Sequence, residues 1–107
     1  MTRLEQLTNF LAASPNEPFI IYALAKEYEG LGQDEEALAH YDTLRTAHED
    51  YVGTYYHLGK LLEKSNQIEA AIGIYNDGMR IAKSQNDQHA YNELAGAKLN
   101  WVDEDEV

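Results

Sequence analysis

The chain contains no cysteine, which excludes a disulfide framework and any thiolate-bound zinc. Two prolines and seven glycines are too few for a linker-like or low-complexity chain. No apolar run approaches the roughly 20 residues that span a bilayer. The opening Met1-Thr2-Arg3-Leu4-Glu5 puts an acid where a signal peptide carries its apolar stretch. Basic side chains are scarce: 8 Lys and Arg stand against 19 Asp and Glu, for a formal charge of −11. Displacing counterions from nucleic-acid phosphates, or docking on anionic lipid, needs the opposite balance. These absences leave one cytoplasmic domain of 107 residues, with no nucleic-acid or membrane partner.

Apolar residues recur at helical spacing almost throughout. Ile21, Leu24, Ala25 and Tyr28 fall at i, i+3, i+4 and i+7, as do Tyr55, Leu58, Gly59 and Leu62. Sustained two-residue alternation is missing, which argues against strands. Six helices are predicted, over 2–13, 18–30, 34–47, 52–64, 67–82 and 87–101. The joints carry turn and cap residues: Ser14-Pro15-Asn16, Gly30-Leu31-Gly32, Asp50, Ser65-Asn66 and Asn86-Asp87. Such short joints make neighbouring helices antiparallel.

The chain matches itself at an offset of 34. Tyr22, Leu24, Lys26, Glu29, Gln33, Glu35, Ala37 and Tyr41 meet identical residues at Tyr56, Leu58, Lys60, Glu63, Gln67, Glu69, Ala71 and Tyr75. A helix pair repeating at this period cannot bury both faces alone and stacks on its neighbour. Small residues at Ala25, Gly59, Ala37 and Ala71 suit positions of closest helix approach.

These residues resemble the tetratricopeptide repeat family. The first repeat reads Ile21-x2-Leu24-Ala25-x2-Tyr28 and then Ala37-x3-Tyr41; the second reads Tyr55-x2-Leu58-Gly59-x2-Leu62 and then Ala71-x3-Tyr75. The family's closing proline is replaced by Glu49 and Lys83 and occurs one period earlier, at Pro15. The resemblance implies an all-α fold, an α-solenoid of antiparallel helix pairs in a right-handed superhelix. Its expected parts are a half-repeat helix in 1–16, with Leu7 and Phe10 at core positions, and repeats in 17–51 and 52–85. A capping helix in 86–102 and a disordered acidic tail in 103–107 complete it. Tyr91, Leu94, Ala95 and Lys98 form one face of that last helix.

Catalytic patterns are missing. His40, His48, His57 and His89 include no His-x3-His pair. Asp34-Glu35-Glu36 is the acidic first turn expected at a helix start. Gly30-Leu31-Gly32-Gln33 lacks the lysine of a phosphate loop, and no serine stands in a Gly-x-Ser-x-Gly elbow. The expected chain is not an enzyme and takes no cofactor or metal.

A second stripe lies beside the core stripe. Tyr22, Lys26 and Glu29 fall at i, i+4 and i+7, and Tyr56, Lys60 and Glu63 repeat them. In the family the first helix of each pair lines a concave groove that binds peptides. The resemblance therefore implies a groove of Phe19, Tyr22, Lys26 and Glu29 with Tyr56, His57, Lys60 and Lys64. Residues 52–85 carry three acids and four bases, whereas 18–51 carry eight and two. This contrast suggests a protein or peptide partner bearing acidic groups or a free C-terminal carboxylate. The clamp of the family's chaperone-tail binders is not matched, since Tyr22, Lys26, His57, Asp87 and Tyr91 stand at its positions. The competing expectation is a structural role by self-association around Tyr91, Trp101 and Val102, as a monomer or weak homodimer.

Overall fold

A computed structural model describes residues 1–106. Its described residues form α1 (Arg3–Ala13), α2 (Pro18–Gly30), α3 (Asp34–Ala47), α4 (Gly53–Lys64), α5 (Ile68–Ser84) and α6 (Gln88–Leu99). They contain no strand. The all-α reading holds, with every helix end within two residues of expectation. The largest differences are at the C-terminal ends of α5, which runs on to Ser84, and of α6, which stops at Leu99 and leaves Trp101 in a turn. A single 3-10 turn, Glu104–Glu106, occupies the acidic end that was expected without fixed structure; Val107 lies outside the described residues.

Local chemistry accounts for the helix boundaries. Thr2 Oγ1 accepts from the Glu5 N–H at 3.1 Å, and Glu5 Oε1 accepts from the Thr2 N–H at 3.1 Å. This reciprocal box caps α1, and the backbone and hydroxyl of Thr2 hold the Glu5 carboxyl below its usual value. Pro18 begins α2, where its missing N–H costs nothing. Three helices end alike, on a left-handed residue: Gly32 (φ 75°), Asn66 (φ 62°) and Asn86 (φ 56°). In each, the next N–H reaches back to a carbonyl five residues earlier. These bonds are Gln33 to Tyr28 at 2.9 Å, Gln67 to Leu62 at 2.8 Å, and Asp87 to Ala82 at 2.9 Å. This is the Schellman closure, and glycine or asparagine is the residue that tolerates it.

The helices sort into two compact units, Met1–Tyr51 and Val52–Val107. In the first, α2 packs on both α1 and α3. Its core is Leu7, Ile21, Leu24, Ala25, Ala37, Tyr41 and Leu44. Phe10 departs from expectation: it is 58% exposed while Leu7 is buried. One turn of α1 thus reaches the core, and the position one period before Leu44 does not.

In the second unit α5 packs on α4 and α6, and α4 also touches α6. Tyr55, Leu58, Leu61, Leu62, Ile74, Tyr75, Met79, Ile81, Ala82 and Leu94 fill its core. Size is exchanged between the two pairs. Ile21 and Leu44 in the first become Tyr55 and Gly78 one period later. A Cβ on Gly78 would stand 2.5 Å from Tyr55 Cβ and 2.9 Å from Leu94 Cδ1, so the larger ring is matched by a missing side chain.

Along α6, Leu94, Ala97 and Lys98 are buried, with Tyr91 and Ala95 half-buried. His89, Asn92, Glu93 and Gly96 are exposed. They stand one period after Tyr55, Leu58, Gly59 and Leu62. The face that would hold a further second helix is therefore polar, as a terminal repeat requires.

Candidate functional site

In the first unit the stripe on α2 splits into two roles. Glu29 is turned toward its own helix pair: Tyr41, fully buried on α3, donates its hydroxyl hydrogen bond to Glu29 Oε2. Lys26 Nζ lies 3.8 Å from the same oxygen. Burial first, and then the Glu29 carboxylate, push the Tyr41 hydroxyl far above the ordinary tyrosine value. Glu29, expected as a groove residue, acts as a tie between α2 and α3, because a buried phenol needs an acceptor. Tyr22 and Lys26 remain part-exposed on α2, and Phe19, three residues before Tyr22, is 61% exposed.

The second unit repeats the tie. Tyr75 donates to Glu63 Oε2, and Lys60 Nζ pairs with Glu63 Oε1 at 3.3 Å. Burial and then Glu63 raise the Tyr75 hydroxyl well above its usual value. Around this shared device the two faces differ. Tyr56 meets His57 edge to face, with ring centroids 5.4 Å apart at 89°. Lys60 and Lys64 are exposed beyond them. The seven expected side chains other than Glu29 are thus at least partly accessible on their helices.

One aromatic was missed by the spacing argument. Tyr51 follows α3, where its N–H donates to the His48 carbonyl at 3.0 Å. Its ring centroid lies 5.7 Å from that of Tyr22, at 52°. Burial, and then the negative charge of Glu17, raise its hydroxyl above the ordinary value. No helical periodicity connects residues 22 and 51, so no pattern in the sequence flags the pair.

Two shallow depressions lie within the units. One, of about 220 Å³, is lined by Ala82, Lys83, Asn86, Asp87, Gln88 and Tyr91. There Asp87 Oδ1 accepts from the Ala90 N–H at 3.0 Å and so caps α6. The other, of about 240 Å³, is lined by Leu4, Glu5, Thr8, Asn9 and Tyr28. There the Thr8 hydroxyl donates to the Leu4 carbonyl at 2.8 Å. The polar groups of both depressions that make these bonds serve the backbone. Among the described residues no group of three His, Asp or Glu side chains is placed to hold a metal. No described helix is long and apolar enough to cross a membrane.

Helix pairs repeating every 34 residues, each closed by the same tyrosine–glutamate tie, define a helical-repeat protein. Comparison with solved structures gives the particular kind. The chain is similar to a tetratricopeptide repeat domain protein from Salinibacter ruber seen in a crystal structure. Identity is 42% over 78% of this chain and 93% of that one, with a TM-score of 0.75. It is likewise similar to a tetratricopeptide repeat domain protein from Salinibacter ruber solved by solution NMR, at 42% identity over 80% and 87%, with a TM-score of 0.78. No protein-family model and no curated protein matches. The chain belongs to the tetratricopeptide repeat domain proteins.

Proposed function

We propose that the chain is a non-catalytic protein-interaction module, in which the exposed face of α2 in the first unit and that of α4 in the second each bind polypeptide. Membership of the tetratricopeptide repeat proteins supports the general reading. The observation that carries the particular one is the division of labour on these helices. Glu29 and Glu63 are spent on Tyr41 and Tyr75, while Tyr22, Lys26, Tyr56, His57, Lys60 and Lys64 keep accessible surface. Tyrosine offers contact area at low entropy cost, and lysine offers a charge for carboxylates. The preference for acidic groups or a terminal carboxylate belongs to the α4 face, where Lys60 and Lys64 are exposed. Calorimetric titration of the full chain with acidic, neutral and basic peptide pools tests this. Tyr22→Ala with Tyr56→Ala should abolish binding with the fold intact. An acidic pool that binds no better than the neutral one would remove the carboxylate preference.

A second reading has its own support. Trp101 is 45% exposed and Leu99 42% exposed at the end of α6, beside half-buried Val102. We propose self-association at this patch as the alternative role. Light scattering on dilution tests it: a dimer that Trp101→Ala converts to monomer supports the assembly reading, and a monomer at all concentrations removes it.

A further inference from the structure

We infer that the α2 face of the first unit is a seat for the side chain of a basic residue, with arginine as its best ligand, stacked on the Tyr22–Tyr51 aromatic pair. The inference rests on the reading of this face as protein-binding and adds the chemistry that it recognises.

The two repeats supply the argument by their differences. What they share, Tyr41–Glu29 with Lys26 and Tyr75–Glu63 with Lys60, closes each helix pair. Discrimination between ligands must come from what they do not share. Tyr51 becomes Gln85 one period later, and Phe19 becomes Gly53. The second unit therefore has no counterpart of the Tyr22–Tyr51 pair, and Tyr56 meets its own neighbour His57 instead. In the first unit two tyrosine rings from separate segments have centroids 5.7 Å apart, with Phe19 exposed one turn before Tyr22 on the same helix.

Charge selects the occupant. Residues 1–51 hold ten acidic and three basic side chains. Glu17, at the start of α2, is near enough to Tyr51 to act on its hydroxyl, and Lys26 has Glu29 as an ion-pair partner. A ring face carries negative potential, and a guanidinium stacks on it while keeping its edge for carboxylates. An apolar side chain would gain from the rings and nothing from the acids.

The test is NMR titration of the full chain with three blocked ten-residue peptides that differ only at the centre: arginine, its uncharged isostere citrulline, or leucine. The arginine peptide is expected to move the ring and amide signals of Tyr22 and Tyr51. It should bind about fivefold or more tighter than the citrulline peptide. Tyr51→Phe should keep this ratio, and Tyr51→Gln, which copies the second repeat, should lose it. Tyr51 is only half-buried, and circular dichroism confirms that each variant is folded. Equal binding of arginine and citrulline, or tighter binding of leucine, overturns the inference and leaves the peptide-binding function standing. Shifts confined to α4 do the same. Absence of any shift with all three peptides, together with no binding from the three pools, overturns both.

Discussion

Gly59 lies against the ring of Tyr75 so closely that a Cβ on it would stand 2.6 Å from Tyr75 Cζ. The ring cannot swing away freely, because its hydroxyl is tied to Glu63. One period earlier Ala25 carries a methyl group at the same position and is itself fully buried. The same position in the two helix pairs thus holds a methyl group in one and no side chain in the other.

This contrast predicts the effect of Gly59→Ala. Overpacking costs roughly 1–3 kcal/mol, against about 1 kcal/mol of helix propensity that alanine regains. A net loss on the order of 1 kcal/mol is expected, read as a lower urea midpoint. A more stable variant would mean that the α4–α5 contact yields easily.

The two tyrosine–glutamate ties predict a loss of stability in alkali. Both hydroxyls are raised above their ordinary value in the folded chain. An unfolded tyrosine ionises near pH 10. The folded chain therefore holds these protons more tightly, and the resulting stability is complete below about pH 10 and falls as pH rises above it. Urea midpoints measured from about pH 8 to 11 should drop in the wild type. They should drop less in the double variant Tyr41→Phe/Tyr75→Phe. At neutral pH each Tyr→Phe change should cost about 1.5–3 kcal/mol, the range for a hydrogen bond to a charged acceptor.

Thr54 is fully buried, and its Oγ1 has no hydrogen-bond partner among the described residues. Valine keeps the shape and removes the desolvated hydroxyl. Thr54→Val is expected to leave stability unchanged or raise it by up to about 1 kcal/mol. A loss above that figure in thermal melts would show that the hydroxyl is satisfied.

Leu7 and Phe10 differ by one turn of α1 and by their surroundings. Leu7→Ala empties a buried site and should cost about 2–4 kcal/mol. Phe10→Ala, at a mostly exposed position, should stay near 0.5 kcal/mol. Equal costs for the two in chemical denaturation would place Phe10 in the core after all.

The helices, their order and their joints were legible from the chain because each depends on neighbours a few residues away. Thr2 with Glu5, Pro18, Gly32, Asn66 and Asn86 act within one turn, and the 34-residue self-match relates one helix pair to the next. The stripe of Tyr22, Lys26 and Glu29 was equally visible, but not its division of labour. Whether Glu29 faces a ligand or Tyr41 depends on which side of α2 the next helix covers.

The amino-acid order by itself thus determined an all-α repeat chain, where its helices begin and stop, and which residues share a helix face. Helical periodicity and capping are short-range, so they are written locally. Only the tertiary structure decided that Glu29 and Glu63 close the helix pairs, that Phe10 stays outside, and that Tyr51 returns to Tyr22 across 29 residues of chain. Those outcomes follow from the way α2 and α3 fold back on each other and from the demand of each buried phenol for an acceptor. Spacing along the chain does not encode them.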